Sequence, residues 1–165
     1  MRGDRVALLL PNTLLYPVAL AAIPRAGMVG VTMNPLYTAR ELQYQLRDSG
    51  AAALLAGEPF MPLVAEALDQ TQVRYVVTVP MHGVRQALLA PAPPSVVQGG
   101  NRNARSVSLR DAIATLPPSS FAAAQVEPSE LAFLQYTGGT TGVSKGACLT
   151  HRSVLASVLQ MQSWL

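Results

Sequence analysis

Apolar runs recur along the first half of the chain at a constant step. Arg5-Val-Ala-Leu-Leu-Leu10, Met28 to Met33, Ala51 to Ala56 and Arg74-Tyr-Val-Val-Thr-Val79 begin near residues 5, 28, 51 and 74, 23 residues apart each time. One strand, one helix and two short loops occupy about that length. The runs are continuous rather than alternating, as expected of strands buried on both faces of a parallel sheet. The segments between them carry helix patterns. Thr13 to Ala26 is apolar nearly all round, which suits a helix packed on several sides, and Pro17 and Pro24 predict that it is kinked or split. Thr38-Ala-Arg-Glu41 has the form of a capping box. The helix it opens carries Ala39, Leu42 and Leu46 on one face and ends near Ser49-Gly50. Phe60, Leu63, Val64, Ala67 and Leu68 follow amphipathic spacing. The expected fold is α/β, a doubly wound, mainly parallel sheet flanked by helices, and not a solenoid.

The pattern breaks in residues 81–127. Pro91, Pro93, Pro94, Pro117 and Pro118, with Gly99-Gly100-Asn101-Arg102-Asn103, predict a long, partly mobile connection. Within it, Ser108-Leu-Arg-Asp111 is expected to cap a short helix reaching Leu116. Residues 128–165 regain order as a strand from Leu131 to Tyr136, a loop, a second strand from Lys145 to Leu149, and a helix from about Arg152. The chain therefore divides into 1–80, 81–127 and 128–165. Its stop at Leu165, without cap or breaker, is expected of a piece of a longer protein.

Composition narrows the function classes. Half of the residues are hydrophobic and 13% are charged, which favours a folded core over disorder. The net charge of +3 is scattered rather than gathered into a stripe, so nucleic acid is not an expected partner. Eleven of the twelve basic residues are Arg, and the only lysine is Lys145. The single cysteine, Cys148, allows no internal disulfide and suits the cytoplasm. Leu14 to Ile23 is too short to span a bilayer, and the polar start Met1-Arg-Gly-Asp is not the pattern expected of a signal peptide.

The chemistry concentrates in Thr137-Gly-Gly-Thr-Thr-Gly-Val-Ser144, followed by Lys145. Glycines let backbone N–H groups approach a phosphate without a Cβ in the way. The hydroxyls of Thr137, Thr140, Thr141 and Ser144 add donors, and Lys145 adds a compact positive charge. A structural turn of this length needs one or two glycines and no such density of hydroxyls. A Walker A loop is excluded because Ser144 precedes the lysine and Gly146 follows it. The Gly-x-Gly-x-x-Gly fingerprint is also absent.

On these residues the chain resembles the adenylate-forming superfamily of acyl-CoA synthetases, peptide-synthetase adenylation domains and luciferases. The loop of that family matches at Tyr136, Thr137, Gly138, Gly139, Thr140, Thr141, Gly142, Lys145 and Gly146. It departs at Ser144, where many members carry Pro, and the change is expected to loosen the loop while leaving its donors. With Val143 and Ala147, these positions are the expected ATP-binding residues. The chain is most similar to bacterial long-chain fatty-acid–CoA ligases, through Leu131 to Gly142, Leu149-Thr-His-Arg152, Gly3-Asp-Arg-Val-Ala-Leu, Pro11-Asn, Arg25-Ala-Gly, Asn34-Pro-Leu-Tyr-Thr and Arg40-Glu-Leu. That similarity is strong over 3–80 and 128–162 and weak over 81–127.

The resemblance implies an enzyme that joins a fatty acid to AMP from ATP and then passes the acyl group to CoA. It implies a Mg2+ ion approached by Thr137, and Lys145 and Thr137 as phosphate-stabilising candidates, with the CoA site elsewhere. It also implies a cytoplasmic location with peripheral association at the inner face of the membrane, and a homodimer of the full enzyme. The family's acidic magnesium motif, its ribose aspartate and its C-terminal domain are not in this sequence, so the chain by itself is expected to be inactive. Two other readings stand beside this one: a non-catalytic nucleotide- or partner-binding remnant, and a ligase for another carboxylic acid.

Other eye-catching residues have plainer readings. Cys148 is expected to be a packed thiol rather than a nucleophile. His151 is expected at a helix start or on the surface, and His82 has no visible partner. Asn34-Pro-Leu-Tyr37 is a turn before the capped helix. Arg102, Arg105 and Arg110 are solvated, with membrane phospholipid or CoA phosphate as the lesser alternative.

Overall fold

The computed structural model describes residues 1–81, 104–115, 119, 121–137 and 144–164. Its strands are β1 (Arg5–Leu9), β2 (Val29–Thr32), β3 (Ala53–Gly57), β4 (Tyr75–Val79), β5 (Arg105–Ser108), β6 (Leu131–Thr137) and β7 (Lys145–Thr150). The helices are α1 (Leu15–Arg25), α2 (Ala39–Ser49), α3 (Met61–Ala67), α4 (Leu109–Ala114) and α5 (His151–Gln162). Among the described residues the strands form one sheet in the order β5-β4-β3-β1-β2-β6-β7. Every neighbouring pair is parallel except the hairpin of β6 and β7.

The strand order explains how both faces are covered. From β1 the chain steps to β2 on one side, turns back past β1 to β3, β4 and β5, then returns to β6. Right-handed crossovers put the connecting helix on opposite faces when the direction of travel reverses. Alternate residues of β1 accordingly enter two cores. Ala7 and Leu9 pack with Leu42 and Leu46 of α2 and with Val64, Ala67 and Leu68 in and after α3. Val6 and Leu8 pack with Ala19 and Ile23 of α1, and Leu109 of α4 joins that side. The expected doubly wound architecture is therefore present.

Local signals act as read at α2. Thr38 Oγ1 accepts from the Glu41 amide at 3.4 Å, Glu41 accepts from the Thr38 amide at 2.8 Å, and Gly50 closes the helix at φ 62°. Asn34 to Tyr37 is the expected turn, with Tyr37 N donating to Asn34 O at 3.1 Å.

Two expectations need correction. α1 is neither split nor interrupted between Leu15 and Arg25. Pro17 lies in its first turn, where the amide has no helical acceptor, and Pro24 lies in its last turn. The stretch read as a connection with one short helix also contains β5, which pairs parallel to β4 from Tyr75↔Arg105 to Thr78↔Ser108. Four residues with alternating polar members at a sheet edge leave little periodic signal. Ser108 does cap α4, accepting from the Asp111 amide at 3.0 Å. The rest of the connection from 82 to 103, with His82 and Arg102, lies outside the described residues. Arg105 and Arg110 are exposed.

A close approach sets the seam between β2 and β6. Gly30 sits opposite Phe133, and a Cβ on Gly30 would lie 2.6 Å from the phenyl ring. The missing side chain leaves room for the Phe133 ring against β2.

Candidate functional site

Because β6 runs parallel to β2, its last residues leave the sheet at the carboxyl edge, where open α/β sheets bind ligands. Tyr136 and Thr137 end β6, and Ser144 and Lys145 lead into β7. The six residues between them, Gly138, Gly139, Thr140, Thr141, Gly142 and Val143, lie outside the described residues. Strand pairing holds the residues on either side of them. Tyr136 pairs with Gly146, Thr137 with Lys145, and Gln135 with Ala147. The Ser144 hydroxyl donates to the Thr137 carbonyl at 2.9 Å. This bond joins the residue before the described gap to the residue after it; whether Ser144 loosens the loop falls on residues outside the described ones.

Opposed residues in an antiparallel pair share a face of the sheet. Thr137 and Lys145 therefore stand side by side on the α1 face, and both are exposed. Lys145 takes part in none of the ion pairs found among the described residues. A hydroxyl and an ammonium group face outward together where a glycine-rich segment starts and ends.

Tyr136 points to the opposite face and is buried. Its hydroxyl donates to Asp48 Oδ2 of α2 at 2.5 Å. Burial first, then this bond to a carboxylate, pushes the phenol well above its ordinary range, so it remains a neutral donor. A Cβ on Gly146 would lie 3.2 Å from the Tyr136 ring, tight enough that the ring would have to shift by a few tenths of an ångström. One turn before Asp48, the Tyr44 hydroxyl donates to the Ser144 carbonyl at 3.2 Å. Sequence reasoning missed Tyr44 and Asp48. They lie on the polar face of an amphipathic helix, and Asp48 is 88 residues from its partner.

On the α1 face an apolar groove of about 370 Å³ runs between α1 and α5. Tyr16, Leu20, Phe133, Leu149, Val154 and Val158 form its walls. Thr32 and Gln135 add polarity where Thr32 Oγ1 donates to Gln135 Oε1 at 2.7 Å. Gln135 precedes Thr137 by two residues on the same face of β6.

The remaining candidates separate from this cluster. His151 opens α5 at the far end of β7 from Lys145, and its amide donates to the Glu130 carbonyl at 3.0 Å. The cap itself is Thr150, which accepts from the Ser153 amide at 3.2 Å. Cys148 is exposed, which corrects the expectation of a packed thiol. β7 is the last strand of the sheet, so an apolar strand pattern does not bury its residues here. No group of three His, Cys, Asp or Glu among the described residues is placed to hold a metal ion. No described helix is long and apolar enough to cross a membrane.

Comparison with known proteins bears directly on this geometry. The model of the AMP-binding enzyme family matches residues 1–165. A long-chain-fatty-acid–CoA ligase of Escherichia coli O6:H1 is 43% identical over 168 residues, covering 98% of this chain and 30% of its own length. The ligase of the same name from Haemophilus influenzae is 38% identical over 99% of this chain and, again, 30% of its own. The crystal structure of a long-chain-fatty-acid-CoA ligase from Archaeoglobus fulgidus superimposes with a TM-score of 0.73 at 28% identity, over 97% of this chain and 27% of that one. The chain thus spans about 30% of the length of the curated relatives it matches.

Proposed function

This chain belongs to the family of AMP-binding enzymes, and from that premise we propose that it forms the phosphate-holding wall of a long-chain fatty-acid–CoA ligase. In the full-length reaction a fatty acid carboxylate attacks the α-phosphate of ATP and pyrophosphate leaves, giving the acyl-adenylate. The thiol of CoA then attacks the acyl carbon and AMP leaves. The residues of this chain act on the first step. Lys145, the Thr137 hydroxyl and the backbone of Gly138 to Val143 hold the β- and γ-phosphates, where charge grows as pyrophosphate departs. Ser144 keeps the loop closed at its neck, and Tyr136, Gly146 and Ala147 hold the strands beneath it.

The observation that carries this reading is the pairing of Thr137 with Lys145 at the carboxyl edge of the sheet, both facing outward at the base of a Gly/Thr-rich segment. Mg2+ fits the same place in a limited sense. The Thr137 hydroxyl is a hard oxygen donor, and Mg2+ retains waters and leans on substrate phosphates rather than on a full protein cage. The ion would neutralise charge on the phosphates. The apolar groove on the same face supports an apolar acid as co-substrate. The reading includes a cytoplasmic enzyme that meets its acid at the inner face of the membrane and works as a homodimer.

The test is Lys145→Ala in the full-length protein, assayed by pyrophosphate–ATP exchange with palmitate. Loss of a charge-assisted contact should lower exchange by about tenfold or more, with the melting temperature unchanged. Undiminished exchange removes Lys145 from the mechanism. Exchange driven by an aromatic acid and not by palmitate would favour a ligase for another carboxylic acid. No exchange in the unmodified protein would favour the remnant.

A further inference from the structure

The loop has two ends, and α2 touches both. Asp48 accepts from Tyr136, the last buried residue before the loop, and Tyr44 donates to the carbonyl of Ser144, the first described residue after it. Tyr44 and Asp48 are four residues apart, so they share one stripe of the helix. α2 is itself held rigidly. Leu42 and Leu46 are fully buried, Thr38 and Glu41 cap its start, and Gly50 ends it. The β6–β7 hairpin lacks such support, since β7 is the edge strand among those described and all six of its residues are partly or wholly exposed. α2 thus bears on Tyr136 and on Ser144, the residues next to Thr137 and Lys145.

We propose that Asp48 is a positioning residue for Thr137 and Lys145, acting through the Tyr136 hydroxyl, with Tyr44 bearing on the Ser144 carbonyl beside it. This rests on the reading of the loop given above. Positioning matters because donors bind a polyphosphate only when they converge on it, and Thr137 and Lys145 converge only while their strands are held in place. Gly146 belongs to the same device. A Cβ at 146 would press on the Tyr136 ring and its hydroxyl, the group that donates to Asp48. The Lys-Gly pair that closes the motif therefore divides its work: Lys145 faces the ligand side, and Gly146 makes room for the anchor on the other side.

The experiment uses the full-length protein with Asp48→Ala, Asp48→Asn, Tyr136→Phe and the double variant Asp48→Ala/Tyr136→Phe. Affinity for MgATP is measured by titration calorimetry, and amide hydrogen exchange over residues 131–150 by mass spectrometry without nucleotide. Each of Asp48→Ala and Tyr136→Phe should weaken ATP binding about three- to tenfold, the loss of one hydrogen bond. The double variant should be no weaker than the singles, because both remove the same contact. Asp48→Asn keeps an acceptor oxygen and should restore most of the affinity. Exchange should quicken in 131–150 and stay unchanged in β1 and β3.

Unchanged exchange in Asp48→Ala overturns the proposal whatever the affinities are. Faster exchange with unchanged affinity also overturns it, leaving the contact purely structural. Additive losses in the double variant would separate the two residues and overturn the shared contact. If the unmodified protein does not bind MgATP, the phosphate-loop reading itself fails and this inference falls with it.

Discussion

Leu42 and Leu46 on α2, and Leu155 and Leu159 on α5, are pairs with the same four-residue spacing. The first pair is fully buried, and the second is 58% and 55% exposed. The difference lies in what each helix rests on. α2 covers the middle of the sheet, with β1, β2 and β3 beneath it and α3 beside it. α5 follows β7, the outermost strand, and Val158, Met161 and Trp164 share its exposure. The same amphipathic signal thus yields a stabilising core in one region and an open face in the other. The site belongs to the second region. Thr137 and Lys145 stand exposed at the carboxyl edge, where a ligand can reach them, while the buried leucines of the first region hold the strands that place them.

The comparison is most easily broken by exchanging matched leucines. Leu46→Ala should cost about 2–5 kcal/mol of stability, the usual range for a buried leucine cut to alanine. In residues 1–165 expressed alone, Leu159→Ala should change it by less than about 0.5 kcal/mol, as at an open surface position. Urea denaturation followed by circular dichroism measures both. Equal losses would mean that α5 is as firmly packed as α2, and the contrast between the regions would fail.

The seam between the regions gives the next effect. Gly30→Ala puts a Cβ into space held by the Phe133 ring, which must shift away from β2. The expected loss is about 1–3 kcal/mol, as for other overpacked sites. Gly30→Ala/Phe133→Leu should recover part of it. A single variant as stable as the parent would show that the ring does not depend on the room left at Gly30.

Acid should act most weakly, through exposed carboxylates in both regions. The Arg2 guanidinium holds Glu130 below the ordinary glutamate value, and the Thr38 amide does the same for Glu41. A depressed folded pKa means that this contribution is fully present above the unfolded value and is lost as pH falls through the folded one. Stability should therefore decline modestly as pH drops below the ordinary glutamate range. Glu130→Gln and Glu41→Gln should each flatten part of that decline, which thermal melts across the acid range would reveal. A decline unaltered by either change would assign the acid sensitivity to other groups.

Features legible in the sequence are those whose physics acts within a turn or along a strand. The capping box from Thr38 to Glu41 joins residues three apart, the strand starts follow a period, and the loop declares its chemistry by composition. Each needs only neighbouring residues, so each survives without knowledge of the fold. Other features waited for the tertiary structure. The apolar pattern around Cys148 resembles that of a buried strand, and only the strand order puts β7 at an edge and exposes the thiol. β5 is too short and too polar to announce itself, and it forms because β4 offers a free edge. Tyr136 and Gly146 are motif residues in the sequence, but their partner Asp48 lies 88 positions from Tyr136 and looks like any solvated helix carboxylate. Periodicity reports which side of an element is apolar. What covers that side, and which distant group meets a polar one, depends on the path that orders the strands β5-β4-β3-β1-β2-β6-β7.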